Sequence, residues 1–593
     1  MADRTHEDGD GTQPSRREFL RVGGAAAAGA AVGGAAGYAI GVAGAGRPGA
    51  TGADEASDPP PSPLPEGTIP PRASGPGFDH LVVVMFENRS FDNLLGYLYE
   101  AGVPEGQVFA GINEGPFSNR DHENRPVETH VYTGSTDEIM SSPRPDPGED
   151  YPHVNTQLFG TVDPSSNAHA QVAQMQAPFN TPRDATAAAP PPMDGFVKDY
   201  VNTFHAERGT APTHEEARVA MGAFSPDMLP VLSTLARGFA VFDHWHCAVP
   251  GPTFANRAFF HGSTSHGFVT NHDDGGYAKW RSKRADTPTI FNRLEEDDIS
   301  WAVYYDDRQR VSLTGLMHER ALKPYWRSRF FPMSHFYQAC ADGTLPAYAF
   351  IEPRMAYDHN DMHPPVGDVR TTEVDGVRVT GGAVSDVRAG EALLHEIYSA
   401  VRAADSHDGS NAMNTMLLVT FDEHGGTFDH VPPPAAVPPG DGADGEMGFA
   451  FDRLGLRVPA IAISAYTAAG RVINDPMHHA CVISTLTTKY DLEPLTARDR
   501  GAPTLDLAVT LTEPRPASAW PQTHPQYTPR NPESSDPVPT GDDDRPLSPP
   551  GRGLLGLLAA HKGVSDATPA TYRQAHAFLE QHGAGLFGPA PAP

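Results

Sequence analysis

The chain has 593 residues, of which 39% are hydrophobic, so it is long enough for one large domain or two ordinary domains with a substantial core. Its formal net charge of −30 argues against a nucleic-acid partner, because phosphate backbones are bound by basic surfaces. Its three cysteines, Cys247, Cys340 and Cys481, are too few and too far apart for a disulfide framework or a zinc ribbon, and at most one bridge can form.

The N-terminal region carries the pattern of an export signal. Arg16 and Arg17 precede a weakly apolar, Ala/Gly-rich stretch from Val22 to Ala45. Twin arginines before a modest hydrophobic region are typical of a twin-arginine (Tat) signal. A transmembrane anchor is the alternative, but glycines lower the hydrophobicity of the stretch and no lipobox cysteine follows it. We therefore predict a Tat signal peptide over residues 1–45, export by the Tat translocase to the periplasm, the cell envelope or the medium, and no stable membrane anchor.

Composition divides the rest of the chain. Residues 46–77 are rich in Pro, Gly and Ala, which predicts a flexible linker. The main folded domain is predicted over 78–512. Residues 513–552 are rich in Pro and Asp and are predicted to be irregular. The apolar spacing in 553–560 and 570–580 predicts two helices in a C-terminal helical tail, 553–593.

Buried strands and amphipathic helices alternate within the main domain. Leu81–Phe86 and Met416–Phe421 are near-continuous apolar runs, which are typical of strands buried on both faces of a parallel sheet. Further strands are predicted at 239–242, 299–305, 347–351 and 458–465, with helices at 228–235 and 387–403, whereas residues 100–190 are predicted to form long loops. This alternation predicts an α/β fold with a mostly parallel, doubly wound sheet flanked by helices, and with long loops over its ligand-binding edge.

Oxygen-bearing side chains follow both apolar runs directly. Glu87 and Asn88 come after the first run, and Asp422 and Glu423 come after the second. Open α/β sheets bind their ligands at the carboxyl ends of the strands, so we expect the four side chains to meet at one edge. Carboxylate and amide oxygens gathered in this way suggest a metal ion. The ligand type favours a hard or borderline ion, and Zn, Mn, Fe and Ca all remain open.

A candidate nucleophile follows the strand predicted at 239–242. Thr253 is predicted to be the N-cap of a helix, with its hydroxyl at the positive end of that helix. Coordination to a metal would lower the pKa of the hydroxyl and hold it for attack. Arg257 and the helix N-terminus could hold the oxygens of a tetrahedral anion such as phosphate.

Two of the histidines are well placed for proton transfer. His363 lies beyond the strand predicted at 347–351, and His153 lies in the Gly/Pro-rich region. Either imidazole could protonate a leaving alkoxide.

Several ordered motifs together resemble one known family. They are Glu87 to Asp92 after the apolar strand, Met193 to Phe196, Gly251 to Thr253 with Asn256 and Arg257, His363 to Pro365, and Asp422 to Gly426 followed by Phe428 to Pro433. The chain resembles the bacterial phosphoesterase family from about residue 78 to residue 495. That family contains Tat-exported phospholipases C and related acid phosphatases, within the alkaline phosphatase superfamily.

The resemblance implies an alkaline phosphatase-like fold and a metal-dependent active site. It implies that Glu87, Asn88, Asp422 and Glu423 bind one divalent metal ion, and that Thr253 is both the nucleophile and a metal-bound oxygen. It also implies that His153 and His363 lie in the pocket, and Arg457 and His479 resemble later family positions.

Two motifs depart from the family pattern. Phe254-Ala255 stands where the family commonly has Asn-Pro, so an aromatic side chain beside the nucleophile is expected to reshape the pocket. His478 to Cys481 replaces a usual Asp-His-Thr-Ser.

The predicted function is that of an exported, metal-dependent phosphoric ester hydrolase. A phospholipase C-like phosphodiesterase acting on phospholipid headgroups is the first interpretation. An acid phosphatase acting on small phosphate monoesters is the alternative, and a non-catalytic exported metal-binding protein is a further one.

Overall fold

The structure, a computed structural model, describes Ile69, Arg72 and residues 74–272, 275–366, 371–374, 377–380, 385–526, 534–535, 538–539, 545–564 and 569–589. All of them belong to the second of two compact units, Pro63–Pro593. The predicted Tat signal (1–45), most of the predicted linker (46–77) and parts of the segment 513–552 lie outside the described residues. Within the described part, none of the helices has the length and apolar character that a bilayer crossing requires.

One eight-stranded sheet forms the centre of the domain. Its strands, numbered along the chain, are β1 His80–Phe86, β2 Ala240–Phe242, β3 Trp301–Tyr305, β4 Phe330–Pro332, β5 Tyr348–Glu352, β6 Thr415–Phe421, β7 Ala460–Ile463 and β8 Arg471–Ile473. Across the sheet they run in the order β8-β2-β7-β6-β1-β5-β3-β4. Each strand predicted from the apolar runs is therefore present, within a few residues of its expected position.

The sheet is mostly parallel, as predicted. β1 lies between β5 and β6 and pairs with both in parallel, and β3 and β4 continue the sheet in parallel beyond β5. β7 is the exception, because it runs antiparallel to both β6 and β2. The seven residues of β1 pair one to one with those of β6, from His80 with Thr415 to Phe86 with Phe421. This register brings the residues that follow β1 and β6 to the same edge.

Helices flank the sheet. They are α1 Phe91–Leu95, α2 Thr136–Met140, α3 Tyr151–Phe159, α4 Phe196–Arg208, α5 His214–Arg218, α6 Pro230–Gly238, α7 Thr253–Gly262, α8 Ile290–Glu296, α9 Leu313–Met317, α10 Glu319–Leu322, α11 Met333–Asp342, α12 Val387–Ala403, α13 Ala480–Tyr490, α14 Ala497–Arg500, α15 Pro549–Lys562 and α16 Tyr572–His582. One set packs α12 against α6 and α11, and a second packs α7 against α13 and α8.

The predicted helices are present with shifted ends. The helix expected at 228–235 is α6, which begins at Pro230, where proline's fixed φ suits the first turn. The two C-terminal helices are α15 and α16, and α15 begins inside the segment predicted to be irregular. The three cysteines are all buried and free, so no bridge forms.

Residues 100–190 contain more regular structure than predicted. α2 and α3 lie in this region, and residues 118–120 pair with residues 126–128 as a small antiparallel ribbon. α3 is almost entirely buried although it carries many polar side chains, among them Asn155, Thr156 and Gln157. Its burial therefore depends on hydrogen bonds to neighbouring segments, which an apolar pattern does not reveal.

Candidate active site

Two adjacent parallel strands deliver acidic side chains to the same point. The backbone N–H of Asp422 donates to the carbonyl of Phe86 (3.1 Å), which continues the β1–β6 pairing past the strand ends. The backbone N–H of Asn88 then donates to Oδ1 of Asp422 (3.2 Å), as does the N–H of Glu423 (2.8 Å). Asn88 has φ 62°, so the chain turns sharply after Glu87. The expected meeting of the two acidic strand ends is present.

A close-fitting glycine turn fixes the second acidic pair. Gly425 has φ +63°, and a Cβ at this position would lie 2.1 Å from the carbonyl oxygen of Asn88. Its backbone N–H donates to Oε2 of Glu423 (2.8 Å). The glycine that follows His424 therefore lets the chain pass close to the turn that carries Asn88, and its N–H fixes the Glu423 carboxylate there.

Glu87 and Asn88 after β1, together with Asp422 and Glu423 after β6, form what we call the acidic group. The N-terminal turn of α7 faces it. Oγ1 of Thr253 donates to Oε2 of Glu87 (3.2 Å). One turn later, Nε of Arg257 donates to Oε1 of Glu87 (3.0 Å) and to Oδ2 of Asp422 (3.3 Å). All four side chains are buried. The structure thus joins the candidate nucleophile and its arginine to one residue from each acidic pair.

Thr253 is not the N-cap that the sequence predicted. Pro252 occupies that position with extended dihedrals (φ −79°, ψ 179°), and Thr253 is the first helical residue. The Pro250-Gly251-Pro252 segment is held by the amide of Asn256, which donates to the carbonyl of Gly251 (2.7 Å). Because the Thr253 hydroxyl is not used to cap its own helix, it is directed to Glu87 instead.

The acidic group has the chemistry of a cation site. Among the described residues, Oδ1 of Asn88 and Oε1 of Glu423 are buried without a hydrogen-bond partner. Burial raises the pKa of Glu87 well above its usual range despite the attraction of Arg257. Burial likewise raises the pKa of Glu423, and the charges of Glu149 and Asp422 add to the effect. Clustered carboxylates and two unpartnered oxygens fit a hard or borderline divalent ion at Glu87, Asn88, Asp422 and Glu423.

His363 lies beside the acidic group but does not contact Thr253. Its ring is fully buried, its Nδ1 donates to the carbonyl of Pro364 (2.7 Å), and its Nε2 lies 3.3 Å from Oδ2 of Asp146. Burial lowers the pKa of His363 to about 3. The imidazole is therefore neutral at physiological pH.

His153 lies farther out, on α3. Its Nδ1 bonds Oδ1 of Asp199 on α4 (2.8 Å). Burial disfavours the charged imidazole, but the Asp199 carboxylate outweighs burial and raises the pKa of His153 to about 9. At neutral pH His153 is therefore charged and His363 is neutral, a difference that their sequence contexts did not indicate.

A cavity of about 790 Å³ opens beside the acidic group. Its wall includes His153, Asp146 and Glu149, together with Tyr277 and Arg552 from other segments of the chain. Thr253 is completely buried and does not line this cavity. Glu149 connects the two regions, because its Oε2 accepts from the side-chain amide of Asn88 (2.7 Å).

Asp146 and Glu149 were missed from the sequence. Burial raises the pKa of Glu149 to about 8, and burial and the neighbouring Glu149 raise the pKa of Asp146. The sequence offered one indication of a role for Glu149, which is that it directly precedes the Asp150-Tyr151-Pro152-His153 segment. Asp361 was also missed, although it lies two residues before His363 and its Oδ1 accepts from the His363 backbone N–H (3.0 Å).

The remaining family-like motifs hold the site in place. Arg457 donates to Asp92 (2.8 Å) and to Asp429 (2.8 Å), and His430 bonds Asp92 (2.7 Å). These groups satisfy one another, so they form a structural ion-pair network. His479 donates from Nε2 to the carbonyl of Asp422 (2.6 Å), which makes it a positioning residue for Asp422.

Phe254, the aromatic residue beside Thr253, does not line the cavity. It is fully buried, with its ring edge-on to Trp280 (centroids 5.7 Å apart). Gly553 of α15 lies against the same ring, where a Cβ would approach to 2.7 Å. The Phe254 ring therefore joins α7 to α15.

Comparison with known proteins gives matches over most of the chain. A family model described as "Phosphoesterase family" matches residues 78–493. Non-specific phospholipase C3 of Arabidopsis thaliana is 32% identical over 454 residues, which cover 73% of this chain and 74% of that protein. Phospholipase C A of Mycobacterium tuberculosis is 25% identical over 305 residues, which cover 46% of this chain and 52% of that protein. A solved Vibrio parahaemolyticus structure, described as a protein in the alkaline phosphatase superfamily, aligns with 14% identity and a TM-score of 0.28 over 46% of this chain and 64% of its own.

Proposed function

Because this chain belongs to the phosphoesterase family and is thereby a phosphoric ester hydrolase, we propose that it is a metal-dependent, phospholipase C-like phosphodiesterase with Thr253 as its nucleophile. The observation that carries the proposal is the contact of the Thr253 hydroxyl with Glu87, beside the unpartnered oxygens of Asn88 and Glu423. The similarity to proteins named phospholipase C supports a phospholipid headgroup diester as the substrate.

The proposed ion would be held by Glu87, Asn88, Asp422 and Glu423, with Thr253 as a further oxygen ligand. When bound, it supplies positive charge that lowers the pKa of the Thr253 hydroxyl and balances charge on the phosphate. Glu87 orients Oγ1 of Thr253 through their hydrogen bond. Nη1 of Arg257 is buried and has no partner among the described residues, so it is free to hold a phosphate oxygen.

In the proposed reaction, these groups act on a phosphate ester that enters from the cavity. Oγ1 of Thr253 passes its proton to Oε2 of Glu87 and attacks phosphorus in line, so that the new O–P bond forms as the bond to the alcohol oxygen breaks. We assign protonation of the leaving alkoxide to His153, because it lines the cavity and is charged at neutral pH. His363, the other candidate donor, is neutral at that pH, its Nδ1 proton is bonded to the carbonyl of Pro364, and it does not line the cavity. Water then hydrolyses the phospho-threonine, which releases the headgroup phosphate and restores the proton to the Thr253 hydroxyl.

A direct assay tests this function. Purified, metal-analysed protein is given p-nitrophenylphosphorylcholine and p-nitrophenyl phosphate in parallel, with and without a chelator. We expect preference for the choline diester, and loss of activity on chelation. Preference for the monoester would make the protein a phosphatase, which is the alternative function. A bound metal without turnover on either substrate, or on other phosphodiesters, would favour the non-catalytic metal-binding protein.

Variants of Thr253 test the nucleophile. Thr253→Ala should lower the hydrolysis rate by more than about a thousandfold, because no other side chain replaces the attacking oxygen. The variant should retain its metal through the other ligands. Thr253→Ser is the matched control, since it keeps the hydroxyl and should keep measurable activity. Near-wild-type rates in Thr253→Ala would rule out this nucleophile.

We also propose that the chain is exported by the Tat translocase. The support is the Arg16-Arg17 pair before the Ala/Gly-rich stretch. Replacing both arginines with lysine in the full chain should keep the protein in the cytoplasm, which cell fractionation measures. Export that is unchanged by this replacement would contradict the proposal.

A further inference from the structure

A second group of metal-binding side chains lies beside the first. Asp146, Glu149 and His363 each place one ligand atom within 4.8 Å of the others. Asp146 and Glu149 come from the segment between α2 and α3, and His363 comes from the loop after β5. None of these three residues belongs to the ligand set proposed above.

The hydrogen bonds of His363 fix its tautomer. A carbonyl oxygen can only accept, so the 2.7 Å contact with Pro364 requires the proton on Nδ1. Nε2 therefore carries a lone pair, and it faces Oδ2 of Asp146 at 3.3 Å. Nε2 has no hydrogen-bond partner among the described residues, and His363 is fully buried. With the Asp146 carboxylate ionised, two acceptors thus face each other inside the protein.

The two carboxylates of the cluster also have few hydrogen bonds. Oδ1 of Asp146 is buried without a hydrogen-bond partner in the described part of the chain. Glu149 uses Oε2 to accept from Asn88. In their ionised form, the two carboxylates place negative charge beside the imidazole lone pair, and a bound dication would balance it.

We propose that Asp146, Glu149 and His363 bind a second divalent cation, next to the ion held by Glu87, Asn88, Asp422 and Glu423. One imidazole nitrogen with two carboxylates favours Zn²⁺, Mn²⁺ or Fe²⁺ over Ca²⁺ and Mg²⁺. Asp146 and Glu149 line the cavity, so the open coordination positions face the space where a substrate would bind.

The role of this cation rests on the proposed function, whereas its existence does not. In a phosphodiesterase it would bind a phosphate oxygen at the cavity side of the site. The hydrogen bond between Glu149 and Asn88 joins the two groups. The site therefore holds two ions rather than the single ion that the family resemblance implies.

Metal stoichiometry tests the proposal without reference to activity. The full chain is stripped with a chelator, reloaded with Zn²⁺, dialysed and analysed for metal content. We expect two ions for each wild-type chain and one for Asp146→Asn. Glu149→Gln is the second variant, because its amide oxygen can still accept from Asn88 while the charge is lost. Glu207→Gln, a carboxylate on the same cavity wall but outside the cluster, is the control and should keep two.

Titration with Co²⁺ gives an independent endpoint, and circular dichroism shows whether each variant folds. Two equivalents in the wild type and one in both cluster variants support the second site. One equivalent in the wild type, unchanged by Asp146→Asn but lost in Glu87→Gln, overturns it and leaves the proposed function standing. Two equivalents that decrease as expected, in a protein without hydrolase activity, keep the second site and overturn the proposed function.

Discussion

Asp199 controls the charge of His153. The 2.8 Å contact between Oδ1 of Asp199 and Nδ1 of His153 lies in a buried setting, where an unpaired imidazolium would be disfavoured. A folded-state pKa of about 9 lies above the usual 6.5. The pair therefore stabilises the folded protein fully below pH 6.5, and this contribution is lost as the pH rises through about 9.

We predict that Asp199→Asn lowers the free energy of unfolding by up to about 3 kcal/mol near pH 6. The difference from wild type should shrink towards pH 9.5, because the imidazole is then neutral in both proteins. Denaturant unfolding at the two pH values measures it. His244→Gln, at a partly exposed histidine that also bonds an aspartate, is a suitable control. A difference that grows with pH would contradict the predicted direction.

The Gly425 turn is the element that positions both acidic pairs. We predict that Gly425→Ala destabilises the fold by more than about 2 kcal/mol, because left-handed backbone strain adds to a collision with the Asn88 carbonyl. Displacement of Asn88 or Glu423 should also weaken metal binding. Thermal unfolding and metal analysis measure the two effects.

Gly442 provides the matched control for this turn. It has φ +75° with no atom near the position of a Cβ, so Gly442→Ala carries the strain without the collision. We expect Gly442→Ala to lower the free energy of unfolding by about 1–2 kcal/mol and to leave metal binding intact. Equal effects of the two variants would show that the approach to Asn88 does not matter.

Helix α15 packs against α7 through the contact of Gly553 with Phe254, the residue next to Thr253. We predict that Gly553→Leu destabilises the protein, although leucine is a better helix former by about 1 kcal/mol. The new side chain would collide with the Phe254 ring, and overpacking of this kind costs about 1–3 kcal/mol or more. Because Phe254 adjoins Thr253, hydrolysis should fall as well.

A change at the exposed end of the same helix, Lys562→Ala, should be neutral in both measurements. A stabilised Gly553→Leu protein with full activity would contradict the supporting role of α15.

The elements that were predicted from the sequence differ physically from those that were not. β1 and β6 are buried on both faces, so continuous apolar runs identify them. α3 is buried through polar contacts and contains Pro152, so no apolar stripe reveals it. The reversed direction of β7 depends on its neighbours, and an apolar run carries no direction.

The candidate site divides in the same way. Glu87, Asn88, Asp422 and Glu423 follow strands directly, so their meeting could be inferred from the topology of a parallel sheet. Asp146 and Glu149 lie in a Pro/Gly-rich segment whose path is set by tertiary contacts. Their approach to His363 could therefore not be inferred.

The charge of the whole molecule affects its encounter with a lipid surface. At −30 the chain is repelled by anionic membranes. We predict that adding phosphatidylglycerol to phosphatidylcholine vesicles slows hydrolysis roughly tenfold at low salt. The effect should shrink as the screening length falls from about 30 Å at 0.01 M salt to about 8 Å at 0.15 M.

Hydrolysis of soluble p-nitrophenylphosphorylcholine in the same salt series is the control, and it should change little. Faster hydrolysis on anionic vesicles at low salt would instead show that a local basic patch governs docking.

The pairing of β1 with β6 also determines when, during synthesis of the chain, the acidic residues can meet. Asn88 and Asp422 are 334 positions apart, which corresponds to roughly 20 to 70 s of translation. During that interval β1 lacks the neighbouring strand that supplies half of the acidic residues. The acidic residues at this edge therefore come together only late in the synthesis of each chain, and an ion that needs all four of them would bind only molecules in which β1 and β6 have already paired.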